Sequence, residues 1–177
     1  MIKILSLLIL LIGTLSLTNV SKIDGNTFVE NVGVNEDSLV KLLPNASTVV
    51  VDLENLFSVK QEAKLTKTIL KFKKKTTIEV AIISVENFYP YQNIDDYSLA
   101  LFNKWGIGNA KTNNGILIIV SKKQRIVRIS TGTGLIITLT DADTKKINDN
   151  EMIPYFKKGD FYGGVFAGLK AIIDFLK

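Results

Sequence analysis

Four short runs of β-branched and aliphatic residues, set between stretches of helical period, constrain this chain more than any single residue does. Thr48-Val49-Val50-Val51-Asp52-Leu53, Ile78 to Val85, Gly115 to Ser121 and Arg125 to Ser130 have strand length and composition. The last two flank Lys122-Lys123-Gln124 and predict a hairpin. Between the runs, Ser58-Val59-Lys60-Gln61 reads as a capping box, with a hydroxyl at the cap and Gln three residues on. Leu65, Ile69 and Phe72 share one face of the helix it opens, with Ala63 and Leu70 in support. Asn93 caps a second helix, in which Ile94, Tyr97, Leu101 and Trp105 repeat at helical spacing until Gly106 and Gly108 end it. A third helix starts at Thr140 or Asp141, runs to about Asn150 and is interrupted by Pro154. The last starts near Asp160, with Phe161, Val165, Leu169, Ile172, Ile173 and Leu176 as an apolar stripe. The order βαβαββαα predicts a single α/β domain, a mixed sheet of about four strands with helices packed on its faces.

An apolar leader precedes this domain. After Lys3, the run from Ile4 to Leu17 has no charged residue, which matches a signal-peptide core and is short of the roughly 20 residues of a spanning helix. Ser16-Leu17-Thr18 offers small residues at a cleavage spacing without an Ala-x-Ala, so residues 1–20 read as a signal peptide or an uncleaved signal anchor. Either form predicts an extracytoplasmic location, periplasm or cell surface, with the anchor also giving membrane contact. Residues 21–47 turn polar and read as a linker, with a short helix at Glu36–Leu43 stopped by Pro44. The α/β domain is then expected over 48–177.

The absence of His and Cys excludes a Ser-His-Asp triad, thiolate chemistry, disulfides, a lipid anchor on cysteine and zinc held by His or Cys. Any metal would be bound through oxygen, as calcium or magnesium is. The formal charge of +5 is concentrated in part at Lys71, Lys73, Lys74 and Lys75, where cations complement a helix C-terminus. Clustered arginines with interleaved aromatics, the signature of nucleic-acid binding, do not occur.

Several segments in order resemble the TPM domain, named for thylakoid, photosynthetic and nematode receptor-associated proteins. They are Val51-Asp52-Leu53 before the Ser-capped helix, Trp105-Gly106-Ile107-Gly108, Asn113-Asn114-Gly115-Ile116-Leu117-Ile118, and Arg125 with Val127-Arg128-Ile129. Thr131-Gly132-Thr133-Gly134-Leu135, Thr140-Asp141-Ala142 and Ile153-Pro154-Tyr155-Phe156-Lys157-Lys158-Gly159-Asp160-Phe161 complete the series, from Val49 to the C-terminus. The resemblance implies an accessory role at membranes. Plant relatives are associated with photosystem repair and an acid phosphatase activity, a nematode relative with a receptor, and divalent-metal binding goes with the fold. Relatives commonly carry Glu directly after Gly-x-Gly-Leu, where this chain has Ile136.

Read from the residues themselves, Thr131-Gly132-Thr133-Gly134 lacks the third glycine of a dinucleotide fingerprint, since Ile stands at 137. No nucleotide cofactor is expected, and Gly132 and Gly134 suit a turn that needs positive φ or close backbone approach. Hairpin geometry sets Asn114-Gly115 beside Gly132-Thr133, with Asp141 or Asp143 opening a helix nearby. Asn113, Asn114, Asp141 and Asp143 are therefore the candidate ligands of a calcium-like ion, although turn and cap roles account for the same residues. Arg128 either neutralises a carboxylate or binds an anion there, or as a strand residue simply faces solvent. Asp160 caps the last helix. Asp52 ends the first strand, where open α/β sheets present ligand groups, but parallel strands would put it at the edge opposite Asn114. Trp105 reads as a core anchor, and Gly164 and Gly168 as close-packing positions.

The expected function is an accessory or binding module for an envelope or membrane protein, with a calcium-like site. The alternative is a metal-assisted hydrolase of acid-phosphatase type using Asp side chains and the Arg128 charge, for which no nucleophile stands out. Catalytic residues and partner identity are not assigned by the sequence.

Overall fold

The computed structural model describes residues 36–177; the leader and the linker up to residue 35 lie outside the described residues. The strands are β1 (Val50–Asp52), β2 (Glu79–Ser84), β3 (Gly115–Ser121) and β4 (Ile126–Thr131). The helices are α1 (Glu36–Leu42), α2 (Val59–Thr76), α3 (Ile94–Trp105), α4 (Asp141–Ile147), α5 (Ile153–Phe156) and α6 (Phe161–Phe175), with a π-turn at Asn148–Met152 between α4 and α5. The sheet order is β1-β2-β3-β4. β1, β2 and β3 are parallel, and β4 returns antiparallel to β3. This is the mixed four-strand sheet that the periodicity predicts.

Both faces of the sheet are covered, so its strands are near-continuously apolar. Alternate residues Val80, Ile82, Ile116, Ile118 and Val120 join Leu65, Ile69 and Phe72 of α2 and Val165, Leu169 and Ile172 of α6 in one cluster. Ala81, Ile83, Leu117 and Ile119 pack with Ile94, Tyr97 and Leu101 of α3 in the other. Burial of Leu65, Ile69 and Phe72 contributes roughly 1.5–3 kcal/mol each, against the ordering entropy of an 18-residue helix. Tyr97 is so enclosed that its phenol is pushed up to about 12. Ala63 and Leu70, read as supporting the α2 core face, are exposed instead, because they fall on the helix flank beyond the sheet.

Strand order equals chain order, yet α2 and α3 lie on opposite faces. The crossovers β1-α2-β2 and β2-α3-β3 step the same way across the sheet and must therefore have opposite hands. One of them is left-handed, against a right-handed rule obeyed in about 98% of such units.

Local chemistry sets most boundaries. Ser58 and Gln61 form the reciprocal capping box of α2, and Thr140 with Asp143 forms one on α4. Asn93 caps α3, and Gly106 ends it in the left-handed region at φ 58°. Arg125 lies in the hairpin turn at φ 55° rather than in β4. The helix expected to reach Asn150 changes register at Ile147, and Pro154 sits inside α5. Proline lacks an N–H and crowds the carbonyl four residues back. The π-turn meets this by moving the bonding to i−5, as in the Ile153 N–H to Asn148 carbonyl bond. Gly164 and Gly168 of α6 pack on this turn, a Cβ at Gly168 falling 2.5 Å from the Met152 side chain.

The end of the stretch read as a linker packs on α3. Leu43 is buried, its carbonyl accepts from Lys104 Nζ (2.6 Å), and the Pro44 carbonyl accepts from Trp105 Nε1 (2.8 Å). Trp105 thus anchors, through its indole N–H as well as its ring.

Candidate functional site

The strand ends gather the sequence-predicted residues into two separate groups. At the N-terminal end of β3, Gly132 N–H donates to the Gly115 carbonyl (2.9 Å) and Gly134 N–H to the Asn113 carbonyl (3.1 Å). The expected juxtaposition is present, and close approach rather than positive φ explains the glycines. A Cβ on Gly132 would stand 2.2 Å from the Asn113 oxygen, and one on Gly134 would stand 1.8 Å from the Thr112 oxygen. Asn113 itself takes φ 46°. Asn114 is buried and engaged at both amide atoms: Oδ1 accepts from Asn109 N–H (3.0 Å) and Nδ2 donates to Thr77 Oγ1 (3.2 Å).

The acids around α4 are engaged unequally. Asp143 accepts from both the Thr140 N–H (3.2 Å) and hydroxyl (2.6 Å), with Lys146 Nζ at 3.7 Å. The Thr140 hydroxyl, ahead of the backbone bond and the Lys146 charge, holds its carboxyl below the usual range. Asp141 lies exposed in the first turn. Calcium takes about six to eight oxygens. Of the four candidate ligands, only Asn113 and Asp141 offer a side-chain oxygen without giving up a bond described above. Among the described residues no group of three or more Asp, Glu, His or Cys is placed to hold a metal ion. Asp160 caps α6, accepting from Gly163 N–H (2.7 Å). Ile136, where relatives carry Glu, is 53% exposed.

At the other end of the sheet, Asp52 Oδ2 accepts from Phe57 N–H (2.7 Å) and Oδ1 from the Ser84 hydroxyl, whose oxygen accepts from Glu54 N–H (3.0 Å). Glu54 in turn accepts from the Lys122 and Lys123 N–H groups (2.8 and 3.1 Å), tying the β1 loop to the hairpin turn. Asp52 pairs with Ser84, and Ser84 with Val120, six residues along β3 from Asn114. At 3.3 Å per residue this is about 20 Å, so Asp52 and Asn114 do not share a site. Arg128 neutralises a carboxylate, but at neither place: Nη1 meets Asp95 Oδ1 (2.9 Å) in the first turn of α3, and Nε donates to Ser130 Oγ (3.3 Å).

A further open space is lined by residues to which the sequence gives no site role. A cleft of about 910 Å³ runs between the hairpin (Lys122, Arg125, Ile126) and the wall formed by Lys145, Asn148, Asp149, Ile153, Phe156 and Lys157, with Phe161 at its end. Four cations and a single acid line it, and Lys145 is paired to that acid. Lys122 Nζ lies 5.7 Å from the centre of the Phe161 ring. Asn148 Oδ1, on the π-turn, is buried with no partner among the described residues. The advance signals were Arg125 and the Ile153-to-Phe161 segment of the TPM-like series, which supply much of the lining, and Asn148-Asp149-Asn150 ahead of Pro154, a poor helical stretch that marks the irregular wall.

An open mixed sheet with helices on both faces, a glycine-interlocked turn pair and an acid-capped strand end define a small α/β domain of the TPM type. Residues 50–175 match the model of the TPM domain family, designated TPM_phosphatase, and the chain belongs to that family. Comparison with curated proteins gives no match. Among solved structures, the chain is similar to the N-terminal domain of a protein from P.gingivalis, with 29% identity and a TM-score of 0.68 over 80% of this chain and 90% of that one. The BA42 protein of the psychrophilic bacterium Bizionia argentinensis shares the fold at 21% identity and a TM-score of 0.61, over 70% of this chain and 83% of its own. The N-terminal domain of the cg2496 protein from Corynebacterium glutamicum does so at 15% and 0.57, over 77% and 85%.

Proposed function

We propose that this TPM-domain protein is an accessory module that works outside the cytoplasm and engages an envelope or membrane protein through the cleft between the β3-β4 hairpin and the π-turn. The observation that carries the reading is the cleft lining: Lys122, Arg125 and Lys157 around apolar Ile126, Ile153 and Phe156, with the Asn148 side-chain Oδ1 unpartnered among the described residues. Such a surface suits an acidic, partly apolar segment of a partner, since cations steer the approach and buried apolar contacts retain it. The uncharged run from Ile4 to Leu17 supports the location.

A photo-crosslinking residue at Ile126, introduced in growing cells, tests this. The expected result is a defined adduct with an envelope protein, lost when Arg125 and Lys157 are both replaced by Glu. Adducts that survive those replacements, or that contain only cytoplasmic proteins, would overturn it.

A second reading, metal-assisted phosphate-ester hydrolysis, draws on the phosphatase designation of the family model. It requires Asp141 as the acid with an unoccupied carboxylate. Turnover at acidic pH that needs calcium or magnesium and vanishes in Asp141→Ala would replace the accessory reading. A calcium-dependent rise in melting temperature without turnover would add a metal site to it.

A further inference from the structure

Helix α2 carries seven lysines and one acid, Glu62. Among the described residues only Lys73 has an ion-pair partner, Glu79 at 2.6 Å. At 3.6 residues per turn, Lys60, Lys64, Lys67, Lys71, Lys74 and Lys75 fall within an arc of about 100°, opposite the buried Leu65, Ile69 and Phe72. All six are exposed, and no ion pair of theirs occurs among the described residues. Lys64 additionally rests 4.8 Å over the Phe166 ring, which leaves its charge on the surface.

This arrangement differs from the rest of the helical surface. On α4 Lys145 and Lys146, and just past α6 Lys177, each meet an Asp three or four residues away, and Lys170 is the single lysine of α6, with no ion pair among the described residues. On α2 the neighbours at those spacings are other lysines: 60 with 64, 64 with 67, 67 with 71, and 71 with both 74 and 75. Like charges so placed weaken a helix. The capping box and the buried face hold α2 together despite them. A dipole effect reaches only the last turn, and the lysines begin in the first.

We propose that this face of α2 docks on an anionic phospholipid surface. The arc from Lys60 to Lys74 is a straight line of charge about 21 Å long, which fits a flat array of headgroups. Val59 (82% exposed) and Leu70 (50% exposed) lie beside it, with Ala63 between them on the helix flank, and supply the shallow apolar contact of an interfacial helix. Lysines act as point charges without the bidentate fork that selects phosphodiester pairs or bases, and no aromatic residue interrupts the arc. The proposal is independent of what the cleft binds.

Flotation of the full chain with phosphatidylcholine vesicles, with and without 30 mol% phosphatidylglycerol (about the fraction that gives a negative surface), tests it. The readout is the ratio of anionic to neutral partitioning, which removes the contribution of the apolar leader. Each lysine close to the surface is worth about fivefold. The ratio is expected to fall at least 25-fold, about two lysines' worth, when Lys60, Lys64, Lys67, Lys71 and Lys74 are all changed to Gln. It should fall by less than about threefold when Lys41, Lys111, Lys146, Lys158 and Lys170 are changed instead, an equal loss of charge elsewhere. High salt should reduce the native ratio as the first variant does. Melting temperatures check that both variants are folded. An unchanged ratio in the α2 variant, equal losses in both variants, or a native chain that binds duplex DNA but shows no preference for anionic vesicles would each overturn the proposal.

Discussion

The two ends of the sheet are closed by opposite means. At the N-terminal end of β3 the chain segments approach because side chains are missing: Gly132 and Gly134 lie against the backbone oxygens of residues 112 and 113. At the C-terminal end of β1 the segments are joined because side chains are present: Asp52, Ser84 and Glu54 reach across gaps to N–H groups of two loops. Both ends are rich in the residue types that suggest a ligand site. In both, those groups are largely consumed in holding loops to the sheet. Turn glycines and strand-end acids therefore distinguish a site from a joint only when their partners are known.

The largest expected effect strikes the glycine end. Gly134→Ala must push a Cβ into the Thr112 carbonyl, and urea unfolding should show a loss of about 3 kcal/mol, near the upper range for overpacking. Next comes the acidic end: Asp52→Ala strands the Phe57 N–H and removes the acceptor of the fully buried Ser84 hydroxyl, for a loss of about 2 kcal/mol. Asn114→Ala should cost about 1–2 kcal/mol by leaving Thr77 and Asn109 to find water. If the two ends are separate, the double variant Asp52→Ala/Asn114→Ala will lose the sum of the single losses to within about 0.5 kcal/mol. Coupling beyond that in a double-mutant cycle would mean that the ends communicate.

The smallest effect is on the pH profile. Glu79 is held below its ordinary 4.5 chiefly by its hydrogen bond from Lys73, with the Gly108 N–H adding to it. A depressed carboxyl stabilises the fold above its unfolded value, and that stability is lost as pH falls through the folded one. Melting temperature should therefore decline below about pH 4.5 less steeply in Glu79→Gln than in the native chain.

Much of this fold is legible in the chain. β-Branched runs mark the strands, Ser58 with Gln61 and Asn93 mark helix starts, and the hairpin alone implies that Asn114 lies beside Gly132. The less legible features depend on partners remote in sequence. Asp52 reads as a strand-end ligand because its acceptor role toward Ser84 spans 32 residues. Ala63 and Leu70 read as core because periodicity gives the width of an apolar stripe but not how far the opposing sheet extends. The cleft stayed hidden because its wall is a π-turn, whose altered register scrambles the helical spacing by which lining residues would be recognised. Arg128 could be placed on a strand but not matched with Asp95, since that contact depends on which face α3 occupies.

The coincidence of strand order with chain order bears on how the domain is assembled. Each strand finds its lateral neighbour already delivered, so the sheet can lengthen by one strand at a time from its N-terminal margin without any strand being threaded between two others. Pairing each strand with the next in the chain gives the shortest closures open to these elements, 32 residues for β1-β2 and 36 for β2-β3. A nascent chain released N-terminus first could thus build the sheet in the order of its emergence, leaving α6 to seal the first face last.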